Sequence, residues 1–285
     1  TGREAARLIG ALAALGLTDE ERLDVARTLR EAASRTREPT HVYRLVDGFL
    51  RLDPPKDERR ACAEVMKAVI PDAATPVAER LVSALVRVDR SEQFSRDAVE
   101  KILDLLPRTG EKMIAGLVSS LVEVNAAEPY RRAAVQSIIA RLANTAPRAA
   151  KRLVGALLRL EPTEQERRET ATRLLSTAAS AGAKSAGTLL SALVMIGPIQ
   201  EEHERARTLI LRKLPSTSDP ELIDHLVVTL MRLEPTAEDQ QDAVKTVLAA
   251  LGTAAPGGVG ILVAALGRLE TTEGERRIAA ERILE

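Results

Sequence analysis

The chain has 285 residues with 41 basic and 41 acidic side chains, so it carries no net formal charge that would draw it to nucleic acid or an anionic membrane. Charged residues make up 29% and apolar residues 45%, which excludes a disordered chain. Aromatics are only 1% and Trp is absent, so the core is expected to be aliphatic; the single cysteine, Cys62, excludes an internal disulfide and makes a cytoplasmic location the expectation.

One phrase organises everything else. It is written most cleanly at Leu153–Leu160 and its first leucine recurs at Leu8, Leu45, Leu81, Leu117, Leu153, Leu189, Leu226 and Leu262, in steps of 36 or 37 residues. A fixed period of this size marks a stacked supersecondary unit. With the anchor leucine as position 0, positions 0, +1, +4, +5 and +7 are nearly always apolar, as at Leu153, Val154, Leu157, Leu158 and Leu160. That spacing predicts a first helix, helix A, with a wide buried face. Position +3 is small throughout (Ala11, Gly48, Ala84, Ser120, Ala156, Ala192, Thr229, Ala265), which is where a neighbouring helix can approach most closely.

Pro54, Pro162, Pro198 and Pro235 stand at +9 and predict the end of helix A. A hydroxyl follows at +10 (Thr18, Ser91, Thr163, Thr236, Thr272), and six anchors have an acid at +13. Thr18 with Glu21, Thr163 with Glu166, and Thr272 with Glu275 spell capping boxes that open a second helix, helix B. Helix B is expected to bury +18, +21, +22 and usually +25, as at Val244, Val247, Leu248 and Leu251. It ends near Pro71, Pro107 or Pro215, or in loops such as Pro107–Gly110 and Ala255–Gly258. No strand pattern is present. The expected fold is all-α: a right-handed α-solenoid of about eight helix-turn-helix repeats, filling residues 1–285 as a single array. The chain opens on Thr1 and stops inside a helical pattern at Glu285, which reads as a piece of a longer protein.

This spacing resembles the helix-pair repeats of the tetratricopeptide-like and HEAT-like group, although the Trp, Gly and Tyr positions of the tetratricopeptide motif are absent. The phrases at Leu153–Arg167 and Leu226–Asp239 are more similar to the degenerate helical repeats found C-terminal to NACHT or STAND-type ATPases of actinobacteria. The resemblance implies a sensor or interaction scaffold beside a nucleotide-switch domain, a domain that this sequence does not contain.

Catalytic chemistry finds little footing. Ser180–Gly187 resembles the end of a phosphate-binding loop at Lys184-Ser185, but Ala183 replaces the required Gly and no strand precedes it. Gly257, Gly258 and Gly260 do not form a dinucleotide fingerprint. His41, His203 and His225 lack a second ligand at helical spacing, and Cys62 falls beside a core position of helix B. No enzyme, cofactor or metal is expected.

Binding is better served. Helix A is expected to expose a strip at −1, +2 and +6. Arg7, Arg44, Arg80 and Arg152 stand at −1; Arg51, Arg87, Arg159, Arg232 and Arg268 stand at +6; and +2 is small at Gly10, Ser83, Ser119, Gly155 and Ser191. Stacked, these would make two arginine rows flanking a trough suited to a carboxylate- or phosphate-bearing partner. The competing reading is that +6 arginines complement the helix C-terminus. A second arginine register at +14 (Arg22, Arg59, Arg131, Arg167, Arg276) reads as surface ion pairing. Phe94 and Tyr130 replace the +13 acid at consecutive anchors and form a candidate hot spot, against the alternative that they fill an irregular junction. The expected partner is a protein or peptide, an acidic one matching the arginine rows. Nucleic acid ranks behind it, because stacking aromatics and net positive charge are missing, and a structural spacer or oligomerisation arm ranks next. No membrane contact is expected.

Overall fold

The computed structural model describes residues 17–88, 92–142 and 144–284, except for the side chains of residues 75, 92–95 and 284. Among these residues the chain is all-α. Fifteen α-helices follow one another: α1 (Asp19–Arg35), α2 (Pro39–Arg51), α3 (Lys56–Val69), α4 (Thr75–Val88), α5 (Glu92–Leu105), α6 (Glu111–Glu123), α7 (Glu128–Leu142), α8 (Pro147–Leu158), α9 (Glu164–Ser180), α10 (Ala183–Ile196), α11 (Gln200–Lys213), α12 (Pro220–Met231), α13 (Ala237–Leu251), α14 (Pro256–Leu266) and α15 (Glu273–Leu284). Even-numbered helices are the expected helices A and odd-numbered ones the helices B. None of the described helices is long and apolar enough to cross a membrane.

The start and stop signals work as the residue types require. Pro39, Pro147, Pro220 and Pro256 occupy the first turn of four helices A, where a missing N–H costs nothing. Thr18, Thr163, Thr236 and Thr272 each accept a hydrogen bond from the amide three residues on, while the acid at that position accepts from the threonine amide at 2.7–2.9 Å. Five helices A are followed by a left-handed residue at +8, which ends the helical path: Asp53, Asn125, Glu161, Gly197 and Glu234 have φ of 47, 48, 54, 72 and 53°. Where proline follows at +9, it also disfavours the right-handed conformation at +8.

The chain divides into two compact units, Thr1–Ile138 and Ile139–Glu285, with the boundary inside α7. In the described part of the first, α2, α4 and α6 pack side by side, and α1 packs on α3 behind them. Val46, Phe49, Leu81, Leu85, Leu117, Leu121, Met66 and Ile102 fill the space between, all fully buried. In the second unit α8, α10, α12 and α14 form one layer and α9, α11, α13 and α15 the other. Leu153, Leu157, Leu190, Leu193, Leu226, Leu230, Ile210 and Val247 lie between the layers, again fully buried. Each such side chain contributes about 1.5–3 kcal/mol by leaving water. Helix A is thus packed on its flanks by other helices A and on one face by helices B, which is why its apolar stripe is broad.

Two segments read as loops are partly helical. Ala183 opens α10, so Lys184 and Ser185 lie in its first turn with only Ala181 and Gly182 outside helices. Likewise Pro256 opens α14, and Gly257, Gly258 and Gly260 belong to that helix.

Candidate binding surface

The arginines at +6 all stand at the end of a helix A. Arg51 is the last residue of α2, Arg87 lies in the last turn of α4, and Arg159 and Arg232 follow α8 and α12 directly. A cation there complements the negative end of the helix dipole. Two are also paired: Arg51 donates to Asp47 at 2.8 Å and Arg268 to Asp224 at 2.5 Å. Arg87 is exposed, and with Arg44, Arg152 and Arg232 it makes no hydrogen bond or ion pair among the described residues.

The trough between the rows is not open as expected. At two seams position +2 turns towards the next helix A, whereas Ser119 at +2 of α6 donates to Ala115 O of its own helix at 2.7 Å. Ser83 and Ser120, at +2 of α4 and +3 of α6, lie 2.9 Å apart, oxygen to oxygen. Ser191 of α10 is buried and meets both Thr229 Oγ1 and His225 Nε2 of α12 at 3.1 Å. A small residue at +3 lets the backbones approach, and a hydroxyl at +2 then finds a partner across the seam. At those two seams the exposed strip narrows to −1 and +6.

At two seams a −1 side chain leans onto position −2 of the preceding helix. The guanidinium of Arg80 lies over the Tyr43 ring, 5.6 Å from its centroid. At the next seam Gly116 takes the −1 place, and a Cβ there would run into the Glu79 carboxylate. Burial pushes the Glu79 carboxyl above its ordinary range, with Arg80 pulling the other way. In the second unit His225 occupies −1, and a Cβ on Gly187 at −2 would come within 3.1 Å of its ring.

The +13 acids are not simply displayed charges. Glu58 joins α3 to α1 through Arg30 at 2.8 Å and Arg27 at 3.2 Å. Glu166 and Glu202 are buried, and Glu202 accepts from the amide of Ile199 at 2.8 Å although Ile199 has no hydroxyl. Asp239 receives Arg207 of α11 at 2.9 Å. Tyr130 therefore takes a place that elsewhere closes caps and seams, and it is half-buried there. The side chain of Phe94, within α5, lies outside the described residues, so the pairing of the two aromatics is not part of the described structure. At +14, Arg59 reaches Asp53 at 3.7 Å and Arg167 donates to Pro162 O at 3.4 Å, so both tie helix B to the turn before it. Gln240 occupies the same position in α13, and its side-chain oxygen accepts from the Glu270 amide in the turn after α14 at 3.0 Å.

One residue escaped the sequence reading. Arg207 stands at +18, where Ala26, Ala63, Val99, Val135, Ala171, Val244 and Ala280 stand at the other anchors. It is buried, paired with Asp239, and donates to the carbonyls of Leu233 at 3.1 Å and Glu234 at 3.0 Å. His203 Nδ1 lies 3.2 Å from the same Leu233 oxygen. The available signal was a charged side chain at a core position with an acid on the next helix B.

Burial pushes the Cys62 thiol up to about 12, which leaves no thiolate at neutral pH. His41 pairs with Glu38 one turn earlier. No group of three metal-ligating side chains gathers among the described residues. Shallow clefts repeat on the helix B side. One, of about 600 Å³, runs between the end of α1 and α3, and another, of about 580 Å³, between the Pro215–Ser218 turn and α13.

No family model matches the chain, and no curated protein matches it. Among solved structures, one described as "Computational Design of Self-Assembling Cyclic Protein Homooligomers" is 14% identical over 99% of this chain and 93% of its own, with a TM-score of 0.13. A likeness at that score carries no argument.

Proposed function

We propose that this protein is a non-catalytic scaffold that binds a protein or peptide with acidic character along the helix A layer. In this reading the helix pairs form a right-handed α-solenoid of about eight repeats. The array serves as the recognition module of a larger protein, in the manner of the helical arrays of NACHT and STAND ATPases. The observation that carries the reading is the set of arginines that make no hydrogen bond or ion pair among the described residues, Arg44, Arg87 and Arg152, together with Arg80 lying over Tyr43. A guanidinium held at a helix end or on an aromatic face keeps its outward N–H groups free for a carboxylate fork. Arg51, which already has Asp47, contributes less, and Arg159 sits at the matching position of α8. Phe94 and Tyr130 would add an aromatic anchor.

The test is fluorescence anisotropy with a labelled Asp/Glu-rich peptide and, separately, a labelled single-stranded RNA pool, each across a salt series. Peptide binding that weakens about tenfold or more in Arg80→Glu plus Arg87→Glu supports the reading. RNA binding with a steep salt slope would transfer the arginines to a nucleic-acid site. Peptide binding untouched by these changes, and by Phe94→Ala plus Tyr130→Ala, refutes both surfaces.

A further inference from the structure

At two junctions a helix B sends a cation to the carbonyl end of the helix B before it. Lys213 of α11 donates to the carbonyls of Ala179 at 3.3 Å and Ala181 at 2.6 Å, at and just past the end of α9. Arg282 of α15 donates to Leu248 O in the last turn of α13. The last carbonyls of a helix lack donors of their own and carry the negative end of its dipole, so a cation satisfies both. Lys213 stands at +24 and Arg282 at +20. Among the helices B that follow another, three more have a base at one of these positions: Lys101, Arg141 and Arg173. The remaining two have none, with Val65 and Val69 on α3 and Thr246 and Ala250 on α13.

The clefts of about 600 and 580 Å³ lie at those two junctions, α1–α3 and α11–α13. Both are lined by positions +26, +28 and +29 before the junction and by +20 and +24 after it, which is the register of the Lys213 contact, since Ala179 and Ala181 stand at +26 and +28. The α1–α3 cleft keeps the acceptors that Lys213 uses. Ser34 O and Thr36 O, the counterparts of Ala179 O and Ala181 O, accept no hydrogen bond among the described residues. Val65, Ala68 and Val69 give the cleft an apolar floor for a methylene stem. Two carboxylates line it: Glu64, shared with Lys67 at 3.1 Å, and Asp72, which makes no ion pair among the described residues. Arg37, also in the lining and also without an ion pair among the described residues, offers N–H donors to a peptide carbonyl. The α11–α13 cleft has no acid in its lining and has Lys245 there instead.

We infer that the α1–α3 cleft binds the side chain of a lysine presented by a partner polypeptide, with the ammonium on the Ser34 and Thr36 carbonyls beside Asp72 and the stem over Val65 and Val69. The partner's ammonium takes the place that Lys213 fills at the end of α9. The site belongs to the helix B side and does not depend on the arginine surface.

The experiment is an NMR titration of the isotope-labelled chain with the blocked tripeptide acetyl-Ala-Lys-Ala-amide, with its norleucine counterpart, and with butylammonium. The lysine peptide is expected to give saturating shifts of the Ser34, Arg35, Thr36 and Arg37 amides and to leave Thr217 and Ser218 of the second cleft in place. Asp72→Asn should weaken that binding about threefold. Val65→Arg, which supplies the chain's own cation from +20 as Arg282 does, should weaken it about tenfold or more, and Val69→Lys should do the same from +24. Shifts that survive both of these changes in folded variants overturn the inference. So does a norleucine peptide that binds as well, or a lysine peptide that shifts both clefts alike or neither. Butylammonium binding as tight as the lysine peptide also overturns it, since that outcome assigns the cleft to free amines.

Discussion

Arg207 offers the sharpest test of how the seams are held. Replacing it with Met keeps most of the aliphatic stem's packing and removes the charge, which isolates the polar contribution. Three acceptors lose a charged donor, Asp239 Oδ2 and the carbonyls of Leu233 and Glu234, although the Thr236 amide stays on Asp239 Oδ2 and His203 Nδ1 stays 3.2 Å from the Leu233 oxygen. A hydrogen bond from a charged donor is worth about 1.5–3 kcal/mol, and stripping one partner from a buried ion pair costs about 3–5 kcal/mol. Asp239 is 20% exposed and keeps its bond to the Thr236 amide, so the low end applies and the loss should be about 2–4 kcal/mol. Stacked helix pairs open locally, so the loss should concentrate in α11–α13. Urea melts followed by circular dichroism, with hydrogen exchange resolved by helix, measure both size and place. Asp239→Asn in the Arg207→Met background should cost less than it does alone. An Arg207→Met variant within about 0.5 kcal/mol of the parent, with unchanged exchange in α12, would show that this arginine contributes no more than a surface charge.

Gly197→Ala should lose about 1 kcal/mol by thermal melt, because φ is 72° there and no neighbour within 4 Å obscures the strain of a Cβ. Glu79→Gln should raise the melting temperature at neutral pH. Burial raises the folded-state pKa of this carboxyl, so its ionised form costs stability above that pKa, and the advantage of Gln should vanish as pH falls below the ordinary carboxylate range. Cys62 should stay unreactive to a thiol-specific reagent in the native protein and react on unfolding in denaturant; labelling at native rates comparable to a free thiol would contradict its burial.

The period, the helix pairs and their caps were legible because each depends on residues near one another in sequence. Thr163 and Glu166 meet across a single turn, and the apolar stripe of helix A is a property of that helix alone. The +8 turn was half-legible: Gly16, Asp53, Asp89, Asn125 and Gly197 are residue types that tolerate a positive φ, but Glu161 and Glu234 break the pattern while adopting the same conformation. The surface was less legible, because register says which residues share a face and not how far one helix is displaced against the next. Position −1 reads in sequence as a row, whereas Arg80 leans onto Tyr43 and His225 reaches Ser191, both on the helix before. The small residues at +2 read in sequence as the floor of a trough, whereas Ser83 and Ser191 bond sideways. In each case the small residue that permits close approach also decides which neighbouring side chain is consumed by the seam and which stays outside it. That logic bears directly on Tyr130. Its position is one that Glu58 and Asp239 use to bridge successive helices B, and Ala127 provides no hydroxyl cap for it to complete. An aromatic ring in that place therefore acts on the seam first, and any contact it makes with a partner depends on how much of the ring the seam leaves uncovered.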